Sequence, residues 1–287
     1  MAALAPGPTA VTALARRLKA LPRALGWIAA LVALGAGLGA VPLRLLTRPS
    51  GPAGFAWTAC VLAVAFAIAT ALVGRWAGLS RAELGWRAEP GLLRSLALGS
   101  ALGLVLAGGA VALAHAWDGA AVGLASARPA LGWTALALVA AALFEELVFR
   151  GAPLRLLARA LGPWPATLLC ALGFSVAHAR NPGATLVSAL NIAVAALLLS
   201  VAFFSRGGMP LAWGVHWGWN AGLGLVCGAP VSGIPLGPAF LHYAPGGLAW
   251  VDGAAFGPEG GVVATAAMCA GLAVLAGRRW SRPREWL

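Results

Sequence analysis

Eight apolar runs occupy most of this chain, at 24–45, 55–73, 92–114, 131–150, 164–178, 184–204, 209–226 and 260–276. Each is close to the roughly 20 residues with which an α-helix crosses a bilayer. Such runs leave few structural options, because in hydrocarbon every backbone N–H and C=O has to be paired within its own segment, as a helix does. Pro and Gly gather between the runs, as in Arg48-Pro49-Ser50-Gly51-Pro52, Arg180-Asn181-Pro182-Gly183 and Arg206-Gly207-Gly208-Met209-Pro210, and read as turns and helix stops. The sequence predicts an all-α, polytopic membrane protein of about eight transmembrane helices, a single membrane domain over 1–287, with no separate soluble domain.

Composition agrees with that solvent. The chain is 61% hydrophobic and 10% charged, where a soluble domain carries about 25% charged residues. Thirteen Trp fit anchoring at the membrane interface and helix packing alike. The net charge of +12 comes from basic residues dispersed in short clusters between the runs, which argues against a nucleic-acid surface and for topology signals. With the N-terminus in the cytoplasm, sixteen basic residues fall inside, and Arg44, Arg48, Arg128 and Arg180 fall outside. The positive-inside rule then predicts both termini cytoplasmic. Cys60, Cys170, Cys227 and Cys269 form no C-x-x-C pair and read as small core residues. No cleavable secretory signal is evident before the first run.

Within the fourth run stands Phe144-Glu145-Glu146-Leu147-Val148-Phe149-Arg150. An unpaired charge at the centre of a membrane helix costs roughly 2.5–3.5 kcal/mol on insertion scales, so such groups mark a functional site with partners nearby. Glu146 and Arg150 are four apart and share a helix face. Two of the four histidines also lie in apolar runs, in Phe174-Ser-Val-Ala-His178 and His216-Trp-Gly-Trp-Asn220. His216 and Asn220 again share a face. Glu145 lies seventeen residues before Gly162 and His178 sixteen after it. In an antiparallel pair turning at Gly162, the two side chains reach about the same level. Gly214, Gly218 and Gly222 form a small-residue stripe for close helix approach, and His216, about 200° around the helix from Gly214, faces elsewhere.

These groups describe an intramembrane polar pocket with a carboxylate to take a proton from water. A neutral His and an amide would donate to a developing oxyanion. Glu145, His178 and His216 also satisfy the three-ligand arrangement of a catalytic zinc. Each group has a plainer reading: Glu146 with Arg150 as an intrahelical ion pair, and either histidine as a hydrogen-bonded packing residue. His115 and His242 are assigned no role.

Glu145-Glu146-x-x-x-Arg150, Phe174-x-x-x-His178 and His216-x-x-x-Asn220 together resemble the three signature motifs of the CPBP intramembrane proteases. That family includes the type II CAAX prenyl endopeptidases and bacteriocin-processing or immunity relatives. The likeness covers about residues 131–226, the motif-bearing core. It implies an intramembrane endopeptidase in which Glu145 activates water with help from His178, and His216 and Asn220 stabilise the oxyanion. Glu146 and Arg150 would hold the helix and pocket in shape. The implied substrate is a peptide or protein, with membrane-anchored and prenylated chains among the candidates, and the implied surroundings are the lipid bilayer.

A metalloprotease and a metal-free glutamate mechanism are both compatible with the family. The chain has no H-E-x-x-H helix. Asn220, a poor zinc ligand and a good hydrogen-bond donor, favours an oxyanion role for its helix and hence the metal-free mechanism over Zn2+. A proton-coupled transporter or a non-catalytic immunity or scaffold protein would use similar buried groups, although no inverted repeat supports the former.

Overall fold

The computed structural model describes residues 10–86, 91–125, 131–237 and 239–277, with side chains from residue 19 onward. Of the basic residues used to infer topology, Arg87, Arg128, Arg278, Arg279, Arg282 and Arg284 lie outside the described residues, as do the side chains of Arg16 and Arg17.

Every one of the eight apolar runs folds as helix. The first three are α1 (Ala10–Leu45), α2 (Gly51–Trp76) and α3 (Leu92–Asp118). A short strand, β1 (Ala121–Leu124), precedes α4 (Leu131–Phe149), α5 (Ala152–Leu161) and α6 (Pro163–His178). Next come α7 (Leu186–Phe204) and α8 (Gly208–Asn220), which runs on as a π-helical segment, Ala221–Cys227. Strand β2 (Leu241–Ala244), the single turn α9 (Ala249–Asp252) and α10 (Val262–Gly277) complete the order. This is an all-α membrane protein; among the described residues the one small sheet is β1 paired antiparallel with β2, Ala121 opposite Ala244.

Among the described residues, five stretches are long and apolar enough to cross a membrane by themselves: Lys19–Leu45, Gly51–Trp76, Leu92–Asp118, Leu131–Leu161 and Leu186–Phe204. The other three expected runs are shorter as helices, because the glycines and prolines that bound them set hard limits. Proline opens α6 after Gly162, the Gly207-Gly208 pair precedes α8, and Gly261 precedes α10.

Residues 152–161, expected as a basic loop, instead form the amphipathic α5. Its Leu154, Leu156 and Leu157 are buried while Arg159 stays exposed. Arg150, at the end of the fourth run, is fully buried.

Glycines set the tightest contact in the fold. On α3 and α8, a Cβ at Gly103 would lie 2.3 Å from the Val215 carbonyl oxygen, and one at Gly218 would lie 2.2 Å from that of Ser100. No side chain fits between these backbones, so the stripe on α8 lies flush on α3. This leaves the opposite side of α8, with His216, turned toward α4 and α6.

The links between helices sort into two faces. On one, Arg159 of α5 bonds Glu83 in the α2–α3 link, and the Met209 N–H donates to the Gly85 carbonyl. On the other, the Asn181 amide donates to Ser232 O, Asp118 accepts from Leu248 N, and β1 meets β2.

Candidate active site

All six candidate residues converge on one place. Glu146 and Arg150, one turn apart near the end of α4, form a fully buried pair with Nη1 of Arg150 3.0 Å from Oε1 of Glu146. The same Oε1 lies 2.8 Å from Nδ1 of His216 on α8. A carboxylate oxygen that already takes a guanidinium proton can only accept from the imidazole, so the His216 proton sits on Nδ1. His178 is fixed in the same sense: its Nδ1 donates to the Phe174 carbonyl, 2.8 Å away, one turn back on α6.

Both imidazoles therefore present Nε2 to the neighbouring carboxylate. Oε2 of Glu145 lies 3.6 Å from Nε2 of His216 and 3.8 Å from Nε2 of His178. These separations are too long for direct hydrogen bonds, and that buried oxygen has no protein partner. Glu145 and His178 do meet, although the chain breaks at Gly151 and the helix that turns into α6 at Gly162 is α5 rather than α4.

Phe174 joins the motifs physically. Its ring lies under the Arg150 guanidinium at 4.4 Å, against His178 at 4.6 Å and His216 at 6.0 Å. The cation–π contact gives Arg150 a second partner where its Nε and Nη2 have none.

Glu145, His178, His216 and Asn220 all line a cavity of about 110 Å³. Its other walls are apolar side chains of α2, α4, α7 and α10, such as Phe55, Leu138, Leu199 and Met268. Three lining residues carry polar chemistry that the sequence reading did not assign. Glu259, 4% exposed, accepts from Nε1 of Trp219 at 2.9 Å and from both the backbone N–H and the hydroxyl of Ser232. Ser232 has φ 48° and Gly233 φ 79°, the left-handed pair of a tight turn closed by the Val231–Ile234 bridge. Asn181, just past His178, holds that turn through Ser232 O. Nothing local in the sequence marks these contacts, which span 27 to 51 residues.

Among the described residues, no group of three or more His, Cys, Asp or Glu side chains is arranged to hold a metal ion.

No curated protein and no solved structure matches the chain. Residues 127–222, which include all three motifs, match the model of the family described as type II CAAX prenyl endopeptidase Rce1-like. The match supports a membrane protease at the level of the family. Over that segment the chain is similar to this family, and the CPBP resemblance carried by its three motifs is borne out.

Proposed function

We propose that this protein is an intramembrane endopeptidase in which Glu145 is the general base for an attacking water. The observation that carries the reading is the unpartnered Oε2 of Glu145 facing Nε2 of His216 and of His178 at 3.6 and 3.8 Å. A water between these atoms donates to Glu145 and to the proton-free Nε2 of His178. Glu145 takes the water proton as the oxygen attacks the peptide carbonyl, while His178 accepts the remaining O–H of the developing hydroxide; Glu145 then returns its proton to the leaving nitrogen as the C–N bond breaks and the intermediate collapses to the acid and the amine.

The oxyanion that forms needs donors. Asn220 supplies an amide N–H from the cavity wall. His216 donates through Nε2 only as the imidazolium, because its Nδ1 proton is already directed at Glu146. A neutral His216 in this orientation is an acceptor, which revises the neutral donor inferred from sequence. Charge supports the imidazolium: Glu145 and Glu146 then balance Arg150 and His216, and the buried cluster is neutral. Glu146 is a positioning residue for His216, and Arg150 holds Glu146.

The substrate is a peptide reached within the membrane, and the family match makes a CAAX-type or other lipid-tethered chain the first class to try. The test is cleavage of an internally quenched peptide with a CAAX end by detergent-purified protein, against Glu145→Gln. Cleavage lost in the variant supports the reading, whereas equal cleavage by both proteins refutes it. A transporter or scaffold would leave the peptide intact in both.

A further inference from the structure

We infer that the cavity is reached from the extracytoplasmic side, so that its substrate is a peptide exposed at, or tethered in, the outer leaflet. This rests on the proteolytic reading above and adds a side to it. The cavity has helical walls, but every lining residue outside the long helices, namely Asn181, Val231, Ser232, Ile234, Leu236 and Glu259, comes from links on one face. It is the face where Asn181 meets Ser232, opposite the face where Arg159 meets Glu83. No described link residue of that second face lines the cavity.

Charge orients the two faces. On the face of Glu83 the described basic residues are Lys19, Arg23, Arg75, Arg81, Arg94, Arg155, Arg159 and Arg206, against the single acid Glu83. The face that opens to the cavity has Arg44, Arg48 and Arg180 against Asp118, Asp252 and Glu259. The positive-inside rule puts the first face in the cytoplasm, and the cavity then opens away from it.

The route into the cavity is lateral. A second hollow, lined by Gly51, Pro52, Phe55, Thr134 and residues 234–237, shares Phe55, Ile234 and Leu236 with the cavity. It lies where the starts of α2 and α4 meet the 234–237 segment, so a chain held in the outer leaflet reaches the cavity past these helix ends, under that segment. The Ser232 turn, clamped by Glu259 and Asn181, forms the roof. A soluble cytoplasmic tail meets the basic face, which has no opening to Glu145 among the described residues.

Cysteine labelling tests the side without any substrate. In a variant lacking the four native cysteines, Ile234→Cys at the hollow and Ala141→Cys inside the cavity are exposed to a membrane-impermeant thiol reagent. Both should react in right-side-out vesicles and stay unlabelled in sealed inside-out vesicles, with Arg206→Cys showing the reverse. Reaction of Ile234→Cys and Ala141→Cys from the inside alone overturns the inference. The wild-type chain gives a second reading that does not depend on the cysteine-free variant. An impermeant quenched peptide that the detergent-solubilised protein cleaves should be cleaved by right-side-out vesicles and spared by inside-out ones; the opposite pattern again overturns it. Failure to cleave in detergent would defeat the proteolytic reading, while the labelling still decides the side.

Discussion

Oε1 of Glu146 lies 2.8 Å from Nδ1 of His216, joining α4 to α8 across 70 residues of sequence. The contact divides the two adjacent glutamates by role. Glu146 is wholly buried and spends its oxygen on Arg150 and His216, while Glu145, a quarter exposed at its side chain, is the one that lines the cavity. Glu146→Gln, with its amide oxygen at the Oε1 position, keeps the acceptor for both donors but removes the charge that offsets an imidazolium. Its kcat/KM should fall about 10- to 100-fold, the usual cost of losing a group that orients a functional imidazole. Unchanged kcat/KM would remove Glu146 from the machinery.

Glu145→Gln and His178→Ala should each lower kcat by about 10²- to 10⁴-fold, the range that general-base assistance supplies. Thermal stability should change little, because Glu145 Oε2 has no protein hydrogen bond to lose and His178 bonds only a carbonyl of its own helix. Comparison of kcat with the unfolding temperature of the same samples checks this. A variant that loses both together would make the residue structural.

The helices and the site motifs were legible in the sequence for the same reason: each is carried by local periodicity. Apolar runs and their Pro/Gly limits gave the eight helical segments, and the i,i+4 spacings of Glu146 with Arg150 and of His216 with Asn220 placed each pair on one face. The glycine stripe on α8 likewise follows from spacing alone. The α5 helix was hidden because its ten residues mix leucines with two arginines at a length where a basic loop and an amphipathic helix look alike. Asp252 and Glu259 lie in the link before α10, where acids commonly face solvent, yet both are buried, Asp252 taking the Gly246 and Ala254 N–H groups and Glu259 the Ser232 turn. Their partners are set by how the 228–260 segment folds over the helix ends, which no period in the sequence encodes.

Glu83 outside the membrane gives a pH-dependent handle on the fold. Burial alone would raise its carboxyl, but the Ser80 N–H and hydroxyl and the Arg159 guanidinium outweigh that and hold it below its ordinary value. A carboxylate lowered in the folded state stabilises it fully above the unfolded value, about 4.3. That contribution is lost as the pH falls through the folded value. Glu83→Gln should therefore melt below the wild type at neutral pH, and the gap should close on acidification below about pH 4. A gap that stays constant from neutral to acid pH would show that the ion pair with α5 contributes nothing.

Arg150 is the residue whose loss the fold tolerates least. It is fully buried, bonds Glu146 at 3.0 Å, and lies 4.4 Å over the Phe174 ring. Arg150→Ala strands the Glu146 carboxylate without its cation and opens a hole beside Phe174; breaking a buried pair in this way costs about 3–5 kcal/mol. Phe174→Leu leaves the ion pair whole and removes only the aromatic face, worth about 2 kcal/mol for a desolvated cation–π contact. The unfolding temperatures should rank wild type above Phe174→Leu above Arg150→Ala. Removing both charges, in Arg150→Met with Glu146→Leu, should recover most of the stability, since no uncompensated charge remains. Activity should stay lost in that double variant, because the Nδ1 proton of His216 then has no carboxylate to hold it. Recovery of cleavage along with stability would overturn the positioning role assigned to Glu146 and leave the pair a structural brace of α4.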